Sequence, residues 1–151
     1  MKVTDKCIEV IKGFEGCVLH TYKDQAGIPT IGYGTVLFPD GTKPVMGQVI
    51  SKEKAEDLLR WEVSLKAHAV DKYVTAKLSQ SQYDSLVSLV YNIGEGGFRS
   101  STLLKRINAC PADDSIRSAF LMWDKIHKDG QVVADAGLKS RRSKEADLYF
   151  S

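Results

Sequence analysis

Between Gly16 and Ser51 the apolar residues change period and then change back, and this double switch constrains the fold more than any other feature of the chain. Before it, Cys7, Val10, Ile11 and Phe14 recur at spacings of three and four, which predicts a helix from about Thr4, its N-cap, to near Gly16. From Cys17 to about Val49 the pattern breaks into three short β-prone runs, "CVLHTY", "PTIGYGTVLF" and "KPVMGQVI", parted by the turn chemistry of "KDQAG" and "PDGT". A small antiparallel sheet is predicted there. Beyond Ser51, a cap residue, the helical period returns and runs to about Tyr73, with Ala55, Leu58, Leu59 and Val63 on one face.

Helices account for most of the chain beyond Tyr73. "SQSQYDSLVSLVYNIG" opens with Ser79 and Gln82 in capping-box spacing, sets Tyr83, Leu86, Val87 and Val90 on one stripe, and is read to stop at Gly94. Further helices are expected near 102–109, stopped by Pro111, and from 112 to about 126, where Ile116, Ala119, Phe120 and Trp123 align. Asp129 and Gly130 mark a turn or hairpin, and a last helix spans roughly 138–150. The fold class is therefore α+β and mostly helical. It forms one domain over 1–151, with a β-containing lobe at about 15–50 and a helical lobe and connector from 1–14 and 51–151.

Charge and cysteine content exclude several functions. The 21 basic and 19 acidic side chains leave a formal charge of +2, too balanced to imply nucleic-acid binding, with weak attraction to an anionic polymer left open. Cys7, Cys17 and Cys110 are an odd set without C-x-x-C spacing, so reduced and mostly buried thiols are expected instead of a disulfide framework or a zinc knuckle. Lys2, Asp5, Lys6 and Glu9 interrupt the first apolar run, which reads as neither a signal peptide nor a membrane span. Synthesis in the cytoplasm is expected, with another agent needed for passage to any target outside the membrane. His20, His68 and His127 form no H-E-x-x-H, and Cys17 with His20 is a weak nucleophile and base, because a cysteine on a strand is more often buried. No metal or organic cofactor is implied.

The two acids at the first switch of period carry more chemistry. Glu15, at a helix end packed against a sheet, is placed for partial desolvation, which would keep it protonated as a general acid. Asp24, on a turn with Gly27, would stay solvated and ionised. Glycosidic bond cleavage needs such a divided pair, one acid for the departing oxygen and one carboxylate for the positive charge or the water.

Glu15, Asp24 and Thr30, set in "GFEG", "TYKD" and "GIPTIGYGT", resemble the phage-type (T4-like) lysozymes, the endolysins of glycoside hydrolase family 24. The likeness continues through "LSQSQYDSLVSLVYNIGEGGFRSSTLLKRIN" and "GLKSRRSKEADLY". It implies a lysozyme-like fold, with a small sheet lobe and a helical lobe joined by a long helix, and hydrolysis of the β-1,4 bond between N-acetylmuramic acid and N-acetylglucosamine, with inversion. On this likeness Glu15 is the general acid, Asp24 positions water or steadies the oxocarbenium ion, and Thr30 holds the water. Arg141, ahead of Arg142, is expected to pair with Glu15, against the alternative that both arginines are solvated or paired within their helix. Tyr33, Tyr91 and Asn92 are candidates to line a saccharide cleft, whereas Phe98, Trp61 and Trp123 are assigned to packing. Thr35 stands where relatives commonly carry histidine. The expected partner is bacterial peptidoglycan, reached as a monomer after a holin opens the inner membrane. A lytic transglycosylase and a non-catalytic wall-binding module remain as alternatives.

Overall fold

The computed structural model describes residues 1–151, in chain order α1 (Asp5–Phe14), β1 (Val18–Lys23), β2 (Pro29–Gly32), α2 (Lys52–Tyr73), α3 (Gln80–Arg99), α4 (Thr102–Ala109), α5 (Ser115–Leu121), β3 (Lys125–Lys128), β4 (Gln131–Ala134) and α6 (Ala136–Tyr149). The class is α+β, with helices predominating and two separate antiparallel strand pairs, β1–β2 and β3–β4. Two compact units divide the chain, residues 8–65 forming one and residues 1–7 with 66–151 the other. No helix is long and apolar enough to cross a membrane.

In the 8–65 unit, α1 buries Ile8 and Ile11, β2 buries Ile31, and α2 buries Ala55, Leu58, Leu59 and Val63, the face that its period predicts. Each such aliphatic side chain contributes about 1.5–3 kcal/mol when fully removed from water. Ser51 caps α2, its Oγ accepting the Lys54 amide at 3.0 Å. Lys12 of α1 lies 3.5 Å from Glu56 of α2.

The expected three-run sheet is corrected to two strands. Val18 pairs with Gly32 and Tyr22 with Thr30, with a register shift between them. The second run is cut short because Gly32 and Gly34, at φ +67° and +90°, fold the chain back so that Ile31 and Thr35 exchange both amide bonds. In the third run Pro44 has no N–H to give and Gly47, at φ +90°, turns the chain. Only 48–50 remains beside β1, through the bridge of His20 to Val49 and the Ile50 amide to the Leu19 carbonyl at 2.8 Å. Gly32 is constrained twice, since a Cβ there would also lie 3.3 Å from the Ala55 Cβ of α2. Gly32→Ala is therefore expected to lower stability by about 1–3 kcal/mol, measured as a shift in the urea midpoint at constant slope. A shift below about 0.5 kcal/mol would mean that the turn relaxes freely.

In the other unit, α3 begins with a full capping box: the Gln82 amide donates to Ser79 Oγ, and the Ser79 amide to Gln82 Oε1. Residues 83–90 are all buried, including Asp84, Ser85 and Ser88. Thr4 does not spend its side chain on a cap. Its amide and hydroxyl both donate to the Asp84 carboxylate, which ties the start of α1 to α3. Gly94, at φ +86°, breaks α3 where its end was expected, but helical turns resume to Arg99.

α5 ends at Leu121, short of the expected 126. The Asp124 carbonyl is taken by the Asp135 amide at 2.7 Å, closing the base of the β3–β4 hairpin. Its two-residue turn needs left-handed backbone at both positions, supplied by Asp129 (φ +53°) and Gly130 (φ +76°). Phe98 is fully buried, as its packing role requires. The cysteines are all free but correct the expectation of burial: only Cys7 is buried, while Cys17, just ahead of β1, and Cys110 are exposed. Burial pushes the Cys7 thiol up to about 12, with Asp84 and Glu145 adding to the shift, so it stays protonated and inert.

Candidate active site

Glu15, Asp24 and Thr30 all lie in the 8–65 unit, and each is placed by a different local device. Glu15 follows the last residue of α1, its amide still bonded to the Ile11 carbonyl at 2.9 Å, so the side chain leaves from the helix end. It is half-buried, and a Cβ on Gly34 would lie 3.9 Å from Glu15 Oε2. The glycine turn that shortens β2 thus brings bare backbone up to this carboxyl group.

Asp24 follows β1 and organises the turn into β2. Its Oδ1 accepts the amides of Ala26 and Ile28, both at 2.9 Å, while its backbone amide donates to the Ile28 carbonyl at 3.0 Å. Both side-chain bonds fall on one oxygen, which leaves Oδ2 for another donor. Thr30, on β2 opposite Tyr22, is buried and donates its hydroxyl to the Ile28 carbonyl at 2.8 Å. With that hydrogen committed, Thr30 Oγ1 is an acceptor toward anything else. Ile28 therefore links the two side chains through its amide and carbonyl.

Tyr33 does not present an open ring to a sugar. It is only 5% exposed, with Lys12 Nζ 5.9 Å from the ring centroid, and burial, then the Cys17 thiol, raises its phenol above the ordinary value. Thr35 is buried, and its hydroxyl makes no hydrogen bond. Leaving such a group unpaired costs about 1–3 kcal/mol, so Thr35→Val, which keeps the shape, is expected to stabilise the protein by about 1 kcal/mol in thermal denaturation. A loss of stability would show that the hydroxyl has a partner.

Arg141 and Arg142 are both buried and both paired within α6, so neither is solvated. Glu145 Oε1 lies 3.1 Å from Arg142 Nε, and Oε2 lies 3.4 Å from Arg141 Nε and accepts the Ser88 hydroxyl at 2.5 Å. Arg141 Nη2 also donates to the Ser88 carbonyl, and Arg142 Nη2 to Asn92 Oδ1. Burial lifts the Glu145 carboxyl above its ordinary range, while Arg142 and then Arg141 pull it back; burial also brings the Arg142 guanidinium down to about 10. Sequence reasoning missed Glu145 and Ser88, although "RRSKE" places the acid three and four residues after the arginines. Tyr91 is half-buried and Asn92 exposed on α3.

Residues 12–145 match the family model for phage lysozyme, and the chain belongs to that family. It is 36% identical over 151 residues to the endolysin of Salmonella phage P22, covering 100% of this chain and 99% of that one. Among solved structures, the endolysin from Escherichia coli O157:H7 phage FAHEc1 superimposes with a TM-score of 0.93 at 41% identity, covering 100% of this chain and 94% of that one. The muramidase domain of SpmX from Asticaccaulis excentricus gives a TM-score of 0.87 at 30% identity, covering 99% and 98%.

Proposed function

We propose that the chain is an endolysin muramidase of the T4-like kind, in glycoside hydrolase family 24, which hydrolyses the β-1,4 bond between N-acetylmuramic acid and N-acetylglucosamine in bacterial peptidoglycan. The observation that carries the reading is that a member of the phage lysozyme family holds Glu15, Asp24 and Thr30 in one compact unit, with Asp24 Oδ2 and Thr30 Oγ1 both left to accept. A water that donates one hydrogen to Thr30 Oγ1 and the other to Asp24 turns its lone pair toward the anomeric carbon. Glu15 gives its proton to the departing oxygen as the glycosidic C–O bond breaks, the water oxygen bonds the anomeric carbon from the opposite face while Asp24 takes its proton, and the product inverts. Tyr91 and Asn92 contact the saccharide, and Tyr33, being buried in the same unit as Glu15, Asp24 and Thr30, packs within that unit. The enzyme works as a monomer, is made in the host cytoplasm, and meets the wall after a holin opens the membrane.

Mass spectrometry of muropeptides released from purified peptidoglycan tests the reading. Reducing-end muramic acid is expected. A 1,6-anhydro product would assign the chain as a lytic transglycosylase, and a polymer that stays intact while the protein sediments with it would assign a wall-binding module.

A further inference from the structure

Arg142 is fully buried, yet one end of its guanidinium reaches the exposed Asn92. Arg142 Nε faces Glu145 Oε1 at 3.1 Å as an ion pair without a hydrogen bond, and Ser88 and Arg141 hold the other Glu145 oxygen. A guanidinium only donates, so the contact decides which way the Asn92 amide faces: oxygen toward Arg142, nitrogen away from it. Asn92 Nδ2 is therefore the end of the amide that Arg142 does not engage, and Asn92 is exposed. Beside it lies a cavity of about 430 Å³, lined by Asn92, Ile93, Trp123 and Leu138 with the basic Lys125 and His127. The Trp123 ring lies against Gly97, where a Cβ would come within 3.1 Å of it.

We propose that Arg142 is a positioning residue that presents the Asn92 amide nitrogen at this cavity as a preset donor to a carbonyl or carboxylate oxygen of the substrate. The inference rests on the reading of the chain as a peptidoglycan hydrolase. An exposed asparagine would otherwise sample both amide orientations and lose entropy on binding, and a buried guanidinium removes that freedom beforehand. The Asn92 donor matches an acceptor oxygen, with Lys125 beside the cavity already paired to Asp124, and the apolar wall matches the methyl or aliphatic group next to such an oxygen. Peptidoglycan offers such oxygens on the N-acetyl groups of its glycan and on its peptide stems.

Steady-state kinetics on soluble glycan strands, with stems and after an amidase has removed them, tests this for wild type, Asn92→Asp, Arg142→Lys and the double variant. Asn92→Asp keeps the size of the side chain and removes its N–H donors. It is expected to raise KM about tenfold and change kcat by less than twofold. Arg142→Lys, which keeps the charge but loses the fork, is expected to raise KM similarly, and the double variant to add little, because both act through one donor. An effect on both substrates places the acceptor on the glycan; an effect confined to stem-bearing strands places it on the stem. An unchanged KM for Asn92→Asp on both substrates overturns the proposal, as does full additivity. Asn92→Asp lies at an exposed position and decides the matter even if Arg142→Lys fails to fold. If wild type cuts neither substrate, the hydrolase reading itself falls and takes this one with it.

Discussion

Glu15→Gln is expected to lower kcat/KM on peptidoglycan by about 10³-fold, within the 10²–10⁴ that a positioned general acid supplies. Glutamine fills the same volume beside the Gly32–Gly34 turn and keeps an acceptor oxygen, but it has no proton to give the departing sugar oxygen. The loss should therefore fall on kcat, with sedimentation of the variant onto the polymer retained and no drop in melting temperature. Muropeptide release followed by mass spectrometry reads the first, and a thermal scan reads the second. A variant with more than about a tenth of wild-type turnover would remove Glu15 from the acid's role.

How much of this was legible in the sequence depended on how local each cause was. The capping box of Ser79 and Gln82 and the turn at Asp129–Gly130 depend on neighbours a few residues apart, so the sequence and the structure agree there. α5 did not end where its stripe ended, because Trp123 continues the helical period while Asp124 is drawn into a bond with Asp135. The third β-prone run carries the right residue types, yet Val45, Met46 and Val49 are exposed, since Pro44 and Gly47 deny it a ladder. At the candidate site the three residues stood out by type and spacing. Their supports did not: that Ile28 serves both Asp24 and Thr30 through its backbone is invisible to a reading of side chains. Likewise "RRSKE" looks like an exposed helical charge pattern and is in fact a buried cluster closed by Ser88 from a different helix.

That cluster makes the second large effect. Arg142→Met is expected to destabilise the protein by about 3–5 kcal/mol at pH 8, because it leaves the fully buried Glu145 with one cation instead of two. For a chain of this size the melting temperature should fall by roughly 6–20 °C. The deficit should shrink on acidification. Burial already holds the Glu145 carboxyl above its ordinary value, and Arg142 is the stronger of the two charges that pull it down. Without Arg142 the folded-state pKa rises further above that of the unfolded chain, so the folded protein binds the extra proton as pH falls. The variant's stability is then greatest below the unfolded value and is lost as pH rises through the folded one, which makes its gap to wild type wider at pH 8 than at pH 5. Adding Glu145→Gln to Arg142→Met removes the charge while keeping an acceptor for the Ser88 hydroxyl, and should recover most of the loss and abolish its pH dependence. Urea unfolding of the three proteins at both pH values measures this. A single variant whose deficit is the same at pH 5 and pH 8 would show that Arg142 acts through packing alone, with Glu145 indifferent to its charge.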